Sequence, residues 1–167
     1  MLQPLRRRTW APRGQTPVQL VATGHFRRLA VIGAVALAPQ QQRLSFYFQF
    51  APESIRTKHV VDFLRQLHRQ LRRKIIVVWD RLNAHRSAAT WFQTQRPGWF
   101  EFEWFPPYSP ELNPVEQCWS HTKCHDLANY CPTDLDELKI QVHHSLRRKR
   151  TNLQLLKSTF THAGLTL

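Results

Sequence analysis

The stretch IIVVWD, residues 75–80, decides how the rest of the chain is interpreted. Its apolar run is typical of a buried parallel strand, and that strand ends on a carboxylate, Asp80. The segment before it, residues 55–71, has the period of an amphipathic helix. The apolar residues that share its stripe are Val60, Phe63, Leu64, Leu67 and Leu71. A helix that leads into a buried strand predicts an α/β fold.

Two strands are predicted on the N-terminal side of this unit. LAVIGAVAL, residues 29–37, is a continuous apolar run, and LSFYFQF, residues 44–50, is aromatic and partly alternating. Residues 39–43 form their polar connection. Further upstream, the basic segment 6–17 contains a predicted turn at Pro12-Arg13-Gly14.

On the C-terminal side, a helix is predicted over residues 87–95 and an alternating strand over residues 99–105. Residues 106–114 must form a loop, because they contain four prolines. A further helix is expected from Val115 to about Asn129.

The last predicted helix spans residues 133–150, with Thr133 as its N-cap. The element order therefore predicts one α/β domain over residues 1–167, with a mixed sheet flanked by helices. Ligand sites in such sheets lie at the carboxyl ends of strands, and Asp80 lies at such an end.

The charge balance indicates a polyanionic partner. The chain carries 24 Lys and Arg against 11 Asp and Glu, a formal charge of +13. Nucleic acid is the commonest partner of so basic a domain. A membrane is a weaker expectation, because neither a long apolar run nor a basic amphipathic anchor stands out. Residues 1–8 do not have the pattern of a signal peptide, and three cysteines indicate reduced thiols in a cytoplasmic protein.

Two carboxylates suggest metal chemistry. Asp80 ends the buried strand, and Glu116 opens the helix that follows the proline-rich loop. Converging carboxylates repel one another unless a cation lies between them, and Mg²⁺ prefers such oxygen ligands. From the residues alone, a strand-end cap for Asp80 and a first-turn helix carboxylate for Glu116 are the commoner roles.

Three ordered motifs carry a family resemblance. Residues 104–123, WFPPYSPELNPVEQCWSHTK, closely resemble the PPYSPxLNPxExxWxxxK signature of DDE transposases in the bacterial insertion-sequence ("six-thirty") branch of the mariner superfamily. Residues 77–87, VVWDRLNAHRS, are similar to the block that carries the second aspartate of that family. Residues 10–17, WAPRGQTP, are similar to its W-x-x-x-G-x-x-P segment.

The resemblance implies an RNase H-like fold, and DNA strand cleavage and transfer at transposon ends with Mg²⁺ or Mn²⁺. Asp80 and Glu116 then correspond to the second aspartate and the glutamate that bind the metal. Transposon-end and target DNA are the implied partners, with a possible homo-oligomer, no membrane and a bacterial cytoplasmic, nucleoid-associated location. Arg13, His85, Tyr108 and Lys123 are candidate DNA contacts. His85 is expected either to contact phosphate or orient the metal site, or to be a helix-entry residue bonded to backbone.

The departure from the family pattern concerns its first aspartate, which lies on a strand shortly before the Trp10 segment. This chain has no Asp or Glu before Glu53. We therefore expect a domain that lacks its first strand, through truncation, frameshift or an internal start, and that is inactive alone. The alternatives are a non-catalytic DNA-binding or oligomerising remnant, and a general metal nuclease of the same fold.

Other polar residues receive structural interpretations. Asn83 is expected to cap the helix that follows Asp80, and Trp119 is expected in the core. The run at residues 147–150 is expected to be a solvated helix end. Zinc binding is disfavoured, although Cys118, His121 and His125 share a helical face, because paired C-x-x-C spacing is missing.

Overall fold

The described part of the computed structural model comprises residues 6–18, 28–38 and 43–166. These ranges contain four strands, and five helices that are each at least eight residues long. The strands are β1 (Leu29–Ala38), β2 (Arg43–Pro52), β3 (Ile75–Trp79) and β4 (Phe100–Trp104). The helices are α1 (Thr57–Leu71), α2 (Asn83–Gln95), α3 (Pro114–His121), α4 (Leu135–Thr151) and α5 (Leu153–His162).

The strands form two separate two-stranded sheets within the described ranges. β1 and β2 pair antiparallel, from Leu29 opposite Pro52 to Ala38 opposite Arg43. β3 and β4 pair parallel, with Ile75 opposite Phe100. The α/β prediction is confirmed, and both senses of pairing expected of a mixed sheet occur. The prediction did not include the division of the strands into two pairs.

Two hydrophobic clusters meet at the β1–β2 sheet. The first contains the buried faces of α1, α2, β3 and β4, and Ile32 and Tyr47 of the β1–β2 sheet pack against it. The second contains Phe46 of β2 with residues of α3, α4 and α5. Alternate residues of a strand point to opposite faces, so the β1–β2 sheet can have helices on both sides.

Several predicted elements are confirmed closely, because their patterns are local. β3 begins and ends at the predicted residues, and the α1 stripe is buried except for Leu71, which is partly buried. The turn at Gly14 is present, with φ +84° and a hydrogen bond from Gln15 N to Pro12 O. Glycine suits that left-handed conformation because it has no Cβ.

The predicted helix caps were wrong. α2 begins four residues earlier than expected, and Leu82 rather than Asn83 is its N-cap. α4 is capped by Asp134, whose carboxylate accepts a hydrogen bond from Glu137 N, while Thr133 precedes the cap. α5 was not predicted. Asn152 ends α4 and also caps α5, accepting from Leu155 N.

The basic end of α4 is not wholly solvated, which corrects the expectation for residues 147–150. Lys149 is 1% exposed, and its Nζ donates to Asp126 Oδ2 at 2.5 Å. Ser145 Oγ donates to the same oxygen, and Arg148 donates to Asp126 Oδ1 at 3.1 Å. Asp126 ends the π-helical turn, Thr122–Asp126, that follows α3. A charge this deeply buried requires such a partner, so the pair fixes α4 against the end of α3.

Candidate active site

Asp80 lies immediately beyond the carboxyl end of β3, as predicted. Its side chain is 59% exposed. The Oδ1 atom accepts a hydrogen bond from Leu82 N at 3.0 Å, which fixes the turn into α2. No contact within the described residues occupies the second carboxylate oxygen, so Asp80 can bind a further ligand there.

His85 lies against Asp80 and not against a backbone carbonyl. Its Nδ1 is 2.6 Å from Asp80 Oδ1, and its ring stacks on Trp79 at 4.7 Å between centroids. Trp79 stacks in turn on Phe102 of β4. The aromatic stack fixes the orientation of the His85 imidazole, and the contact with the imidazole fixes Oδ1 of Asp80. The helix-entry position of His85 was predicted, but its bond is to Asp80.

The segment that leads to Glu116 leaves the sheet beside Asp80. Phe105 N donates to Trp79 O at 2.9 Å, so the chain exits β4 next to the end of β3. The loop then runs to Asn113, which caps α3 by accepting from Val115 N. Glu116 is exposed in the first turn of α3, where the helix dipole favours a carboxylate. Within the described residues, no hydrogen bond or ion pair occupies the Glu116 carboxylate.

Close packing on β1 fixes the position of α3. A Cβ atom on Gly33 would lie 2.8 Å from two ring atoms of Trp119, a distance that side chains do not tolerate. Trp119 also makes an edge-on contact with Phe46 at 6.0 Å. Trp119 therefore packs against the core, as expected. No local pattern marks Gly33, because its partner Trp119 lies far along the chain.

The structure places both predicted carboxylates at the surface, and the described residues contain no complete metal cluster. Asp80 and Glu116 share no hydrogen bond or ion pair. In the described ranges, no group of three or more His, Cys, Asp or Glu side chains is placed to hold one ion together.

The remaining candidate DNA contacts are exposed and lie on three different segments of the chain. Tyr108 is fully exposed, and its φ of +58° is uncommon for a bulky residue. Lys123 lies on the π-helical turn after α3, and Arg13 lies in the N-terminal turn. Strained residues that persist at a surface often mark functional segments, so Tyr108 is the most notable of the three.

Among the Cys and His residues near α3, Cys118 has a packing role and His121 lies beside Asp126, with Nδ1 3.6 Å from Oδ2. Cys118 is buried in the second cluster, and burial raises the pKa of its thiol. The rings of His121 and His125 lie 4.8 Å apart. Burial and the nearby Lys149 charge lower the pKa of His121.

A contact that sequence reasoning missed anchors the N-terminal basic segment. Arg7 N donates to Asn129 Oδ1 at 2.8 Å, and Asn129 Nδ2 donates to Arg7 O at 2.9 Å. Asn129 adopts a left-handed conformation, with φ +58°. The segment that leads to Arg13 is therefore held against the connection between the π-helical turn and α4.

Comparisons with known proteins agree with the motifs. A family model described as DDE superfamily endonuclease matches residues 1–139, which include Asp80 and Glu116. No curated protein matches the chain. In the described residues, no helix combines the length and the apolar character needed to span a bilayer.

The fold is similar to that of a chain in the "Crystal structure of the Mos1 Strand Transfer Complex", with a TM-score of 0.58. The two share 16% sequence identity, over 96% of this chain and 48% of the other. This chain thus spans about half the length of that relative. The likeness confirms the expected RNase H-like fold.

Proposed function

The chain belongs to the DDE superfamily endonucleases, and on that premise we propose that it carries two of the metal-binding carboxylates of a DNA transposase. Asp80 and Glu116 are these two residues. The observation that carries the proposal is that Asp80 is exposed at the end of β3, beside the chain segment that leads to Glu116. The substrates are transposon-end and target DNA, and the setting is the bacterial nucleoid.

The free oxygens of the two side chains fit a hard divalent cation. Asp80 retains one carboxylate oxygen without a partner in the described residues, and the Glu116 carboxylate is exposed. Mg²⁺ or Mn²⁺ prefers such ligands and keeps positions open for water and phosphate. When bound, the metal supplies activation of a water or 3′-hydroxyl and stabilisation of the leaving oxygen.

The surrounding residues position the carboxylates and the DNA. His85 is a positioning residue, because its Nδ1 fixes one oxygen of Asp80 and leaves the other available. Asn113 caps α3 and so fixes the first turn, where Glu116 lies. Arg13, Tyr108 and Lys123 are exposed and provide contacts to the DNA backbone.

Two carboxylates do not complete the site that the family pattern implies, so we propose that this chain does not cleave DNA alone. Its basic surface still binds DNA, and self-association is the expected assembly. A purified chain that nicks transposon-end DNA with Mg²⁺, and loses this activity on Asp80→Ala, would contradict the proposed inactivity. Cleavage without preference for transposon ends would instead identify a general nuclease.

The metal ligands can be tested without any DNA cleavage. Fe²⁺ takes oxygen ligands similar to those of Mg²⁺. With peroxide it produces radicals that cleave the polypeptide backbone of the protein near the bound ion. We expect cuts near residues 80 and 116 by mass spectrometry, and their suppression by excess Mg²⁺. Asp80→Asn and Glu116→Gln should each abolish both cuts.

Glu111→Gln is the matched control for that experiment. Glu111 is an exposed carboxylate in the short 3₁₀ helix just before α3, so its substitution removes the same charge from the same region. The cuts should persist in this variant. Cuts that persist equally in Asp80→Asn would reject the assignment of the metal ligands and favour a non-catalytic remnant.

A further inference from the structure

A cluster of cationic side chains lies at the end of the β3–β4 sheet opposite Asp80. Arg69 is in the last turn of α1, and residues 72–74 form the connection to β3. Arg96 follows the end of α2, close to Trp99. β3 runs from this cluster toward Asp80, and at ~3.3 Å per residue the two ends lie ~17 Å apart. The cluster is therefore separate from the proposed active site.

The charges of the cluster are largely uncompensated. Arg69, Arg72, Arg73, Lys74 and Arg96 are all exposed. Glu101 pairs with Lys74 at 2.9 Å, and within the described residues no carboxylate pairs with the four arginines. The helix dipole accounts for a cation in the last turn of α1, such as Arg69. It likewise accounts for Arg72 and Arg96, the C-cap residues of α1 and α2, and Arg96 also donates to Gln95 O at 2.9 Å. It does not account for Arg73 and Lys74, which lie beyond α1.

The surface between these side chains is concave. A shallow, open cleft of about 620 Å³ is lined by His68, Trp99 and four cationic residues: Arg69, Arg72, Arg73 and Lys74. A cleft lined by charges of one sign concentrates the electrostatic potential and attracts counterions. Arg72 adopts a left-handed conformation, with φ +52°, where α1 turns toward β3.

The aromatic ring in the cleft is already engaged. The His68 ring stacks on Trp99 at 4.1 Å between centroids and 3° between planes. The Arg96 guanidinium lies 5.6 Å from the Trp99 centroid. A ring held in this way is a poor platform for an unstacked base, so the cleft suits phosphates better than bases.

We propose that this cleft binds the phosphate backbone of duplex DNA, independently of base sequence. It is a second DNA contact at the sheet end opposite Asp80. Arg69, Arg72 and Arg73 supply the main phosphate contacts, and Trp99 holds the floor of the cleft. One part of a DNA duplex would then be bound in the cleft, while another part of the same duplex contacts the site at Asp80.

The proposal is tested by the salt dependence of DNA binding of the full chain. Fluorescence anisotropy with a random-sequence duplex, without divalent metal, gives the affinity between ~50 and ~200 mM salt. The slope of log affinity against log salt is negative, and each phosphate contact contributes ~0.9 to its magnitude. The triple substitution Arg69→Gln, Arg72→Gln, Arg73→Gln should therefore reduce the magnitude of the slope by about 2–3.

The matched control is the triple substitution Arg43→Gln, Arg147→Gln, Arg150→Gln, which removes the same charge from exposed positions elsewhere. Its slope should change by less than ~1. Equal losses in the two triple variants would overturn the proposal, because binding would then follow net charge alone. Displacement of DNA by poly-glutamate of equal charge would overturn the assignment to nucleic acid.

A measurement on the unsubstituted chain keeps the test valid if the cleft variant fails to fold. Bound duplex should protect Arg69, Arg72 and Arg73 from modification by phenylglyoxal more than it protects Arg43. Equal modification with and without DNA would overturn the proposal. Neither measurement requires cleavage or metal, so failure here is distinguishable from failure of the proposed function.

Discussion

Lys149 and Asp126 form an ion pair whose energetic role follows from its burial. The Lys149 side chain is 2% exposed and the Asp126 side chain 15%. Removing one partner leaves the other charge buried without compensation, which costs far more than the pair itself contributes. The pair connects α4 to the turn after α3, and so it affects the element that carries Glu116.

A double-mutant cycle measures this coupling. We expect Asp126→Asn to lower the free energy of unfolding by ~3–5 kcal/mol, since it strands the Lys149 charge. Adding Lys149→Met should recover ~2 kcal/mol or more of that loss. Urea unfolding followed by circular dichroism gives the values. Strictly additive effects of the two substitutions would show that the pair is not coupled.

The same carboxylate predicts sensitivity to acid. Burial alone would raise the pKa of Asp126, but hydrogen bonds from Lys149 and Ser145 outweigh it and leave the pKa lowered. A carboxyl with a lowered folded pKa stabilises the protein above its unfolded pKa, and this contribution is lost as pH falls through the folded value.

We therefore expect the melting temperature of the unsubstituted chain to fall steeply below pH ~4. The difference in melting temperature between it and Asp126→Asn should stay constant above pH ~4 and shrink as the pH falls from ~4 to ~2, because the carboxyl then takes up a proton and becomes neutral, as Asn is throughout. A difference that stays constant over this range would exclude Asp126 as the titrating group.

The contact between Gly33 and Trp119 predicts intolerance of any side chain at position 33. Gly33→Ala should lower the free energy of unfolding by ~1–3 kcal/mol, because its Cβ would collide with the indole and shift α3. Trp119→Leu in the same chain should relieve part of that loss. Chemical denaturation of the unsubstituted chain, the two single variants and the double variant gives the four free energies of unfolding. If Gly33→Ala destabilised the Trp119→Leu variant as much as the unsubstituted chain, the packing argument would be contradicted.

Among the secondary-structure elements, α4 begins with reciprocal hydrogen bonds between the capping residues, Thr133 and Asp134, and Glu137 in its first turn. Asp134 Oδ1 accepts from Glu137 N at 2.8 Å, and Thr133 N and Oγ1 both donate to Glu137 Oε2 at 2.7 Å. Tyr130 donates to the other Glu137 oxygen. This bond, burial and the Glu137 charge raise the pKa of Tyr130 to about 12. The Tyr130 bond in turn lowers the pKa of Glu137.

The cap assignment can be separated from a general charge effect. Asp134→Ala should destabilise the fold by ~1 kcal/mol, the usual cost of losing an N-cap. Asp136→Ala removes the same charge from the same turn without removing a cap and should cost only ~0.3 kcal/mol. Thermal unfolding of both variants decides the matter, and equal losses would show that charge rather than capping stabilises this end.

At the scale of the whole molecule, the described strands form two small sheets with open edges. Within the described residues, β1 pairs only with β2, and β3 pairs only with β4. Ile76 and Val78 of β3 are 63% and 51% exposed. Unpaired strand edges and exposed apolar side chains favour pairing with another chain.

We therefore expect the isolated chain to self-associate or to have poor solubility. Light scattering after size-exclusion chromatography should show a mass that increases with concentration. Val78→Lys should reduce this, because lysine near a strand edge opposes pairing. Ile140→Lys, at an exposed apolar position on α4, is the control and should not. A soluble, cooperative monomer at all concentrations would contradict the expectation.

Local patterns were sufficient to predict the elements near the site. The apolar run of β3 and the stripe of α1 depend on neighbours in sequence, and the structure confirms them. The proline-rich loop is confirmed in part, because a 3₁₀ helix forms at Pro110–Leu112 and α3 begins at Pro114. The motifs around Asp80 and Glu116 also identified the family, because side chains at fixed spacings carry that information.

The contacts between distant segments were decided only by tertiary structure. The burial of Lys149, the approach of Trp119 to Gly33 and the anchoring of Arg7 by Asn129 each join residues far apart in the chain. The sequence of a basic run is the same whether its side chains are solvated or paired with a buried carboxylate. The energy of such a pair depends on burial, which no local pattern specifies.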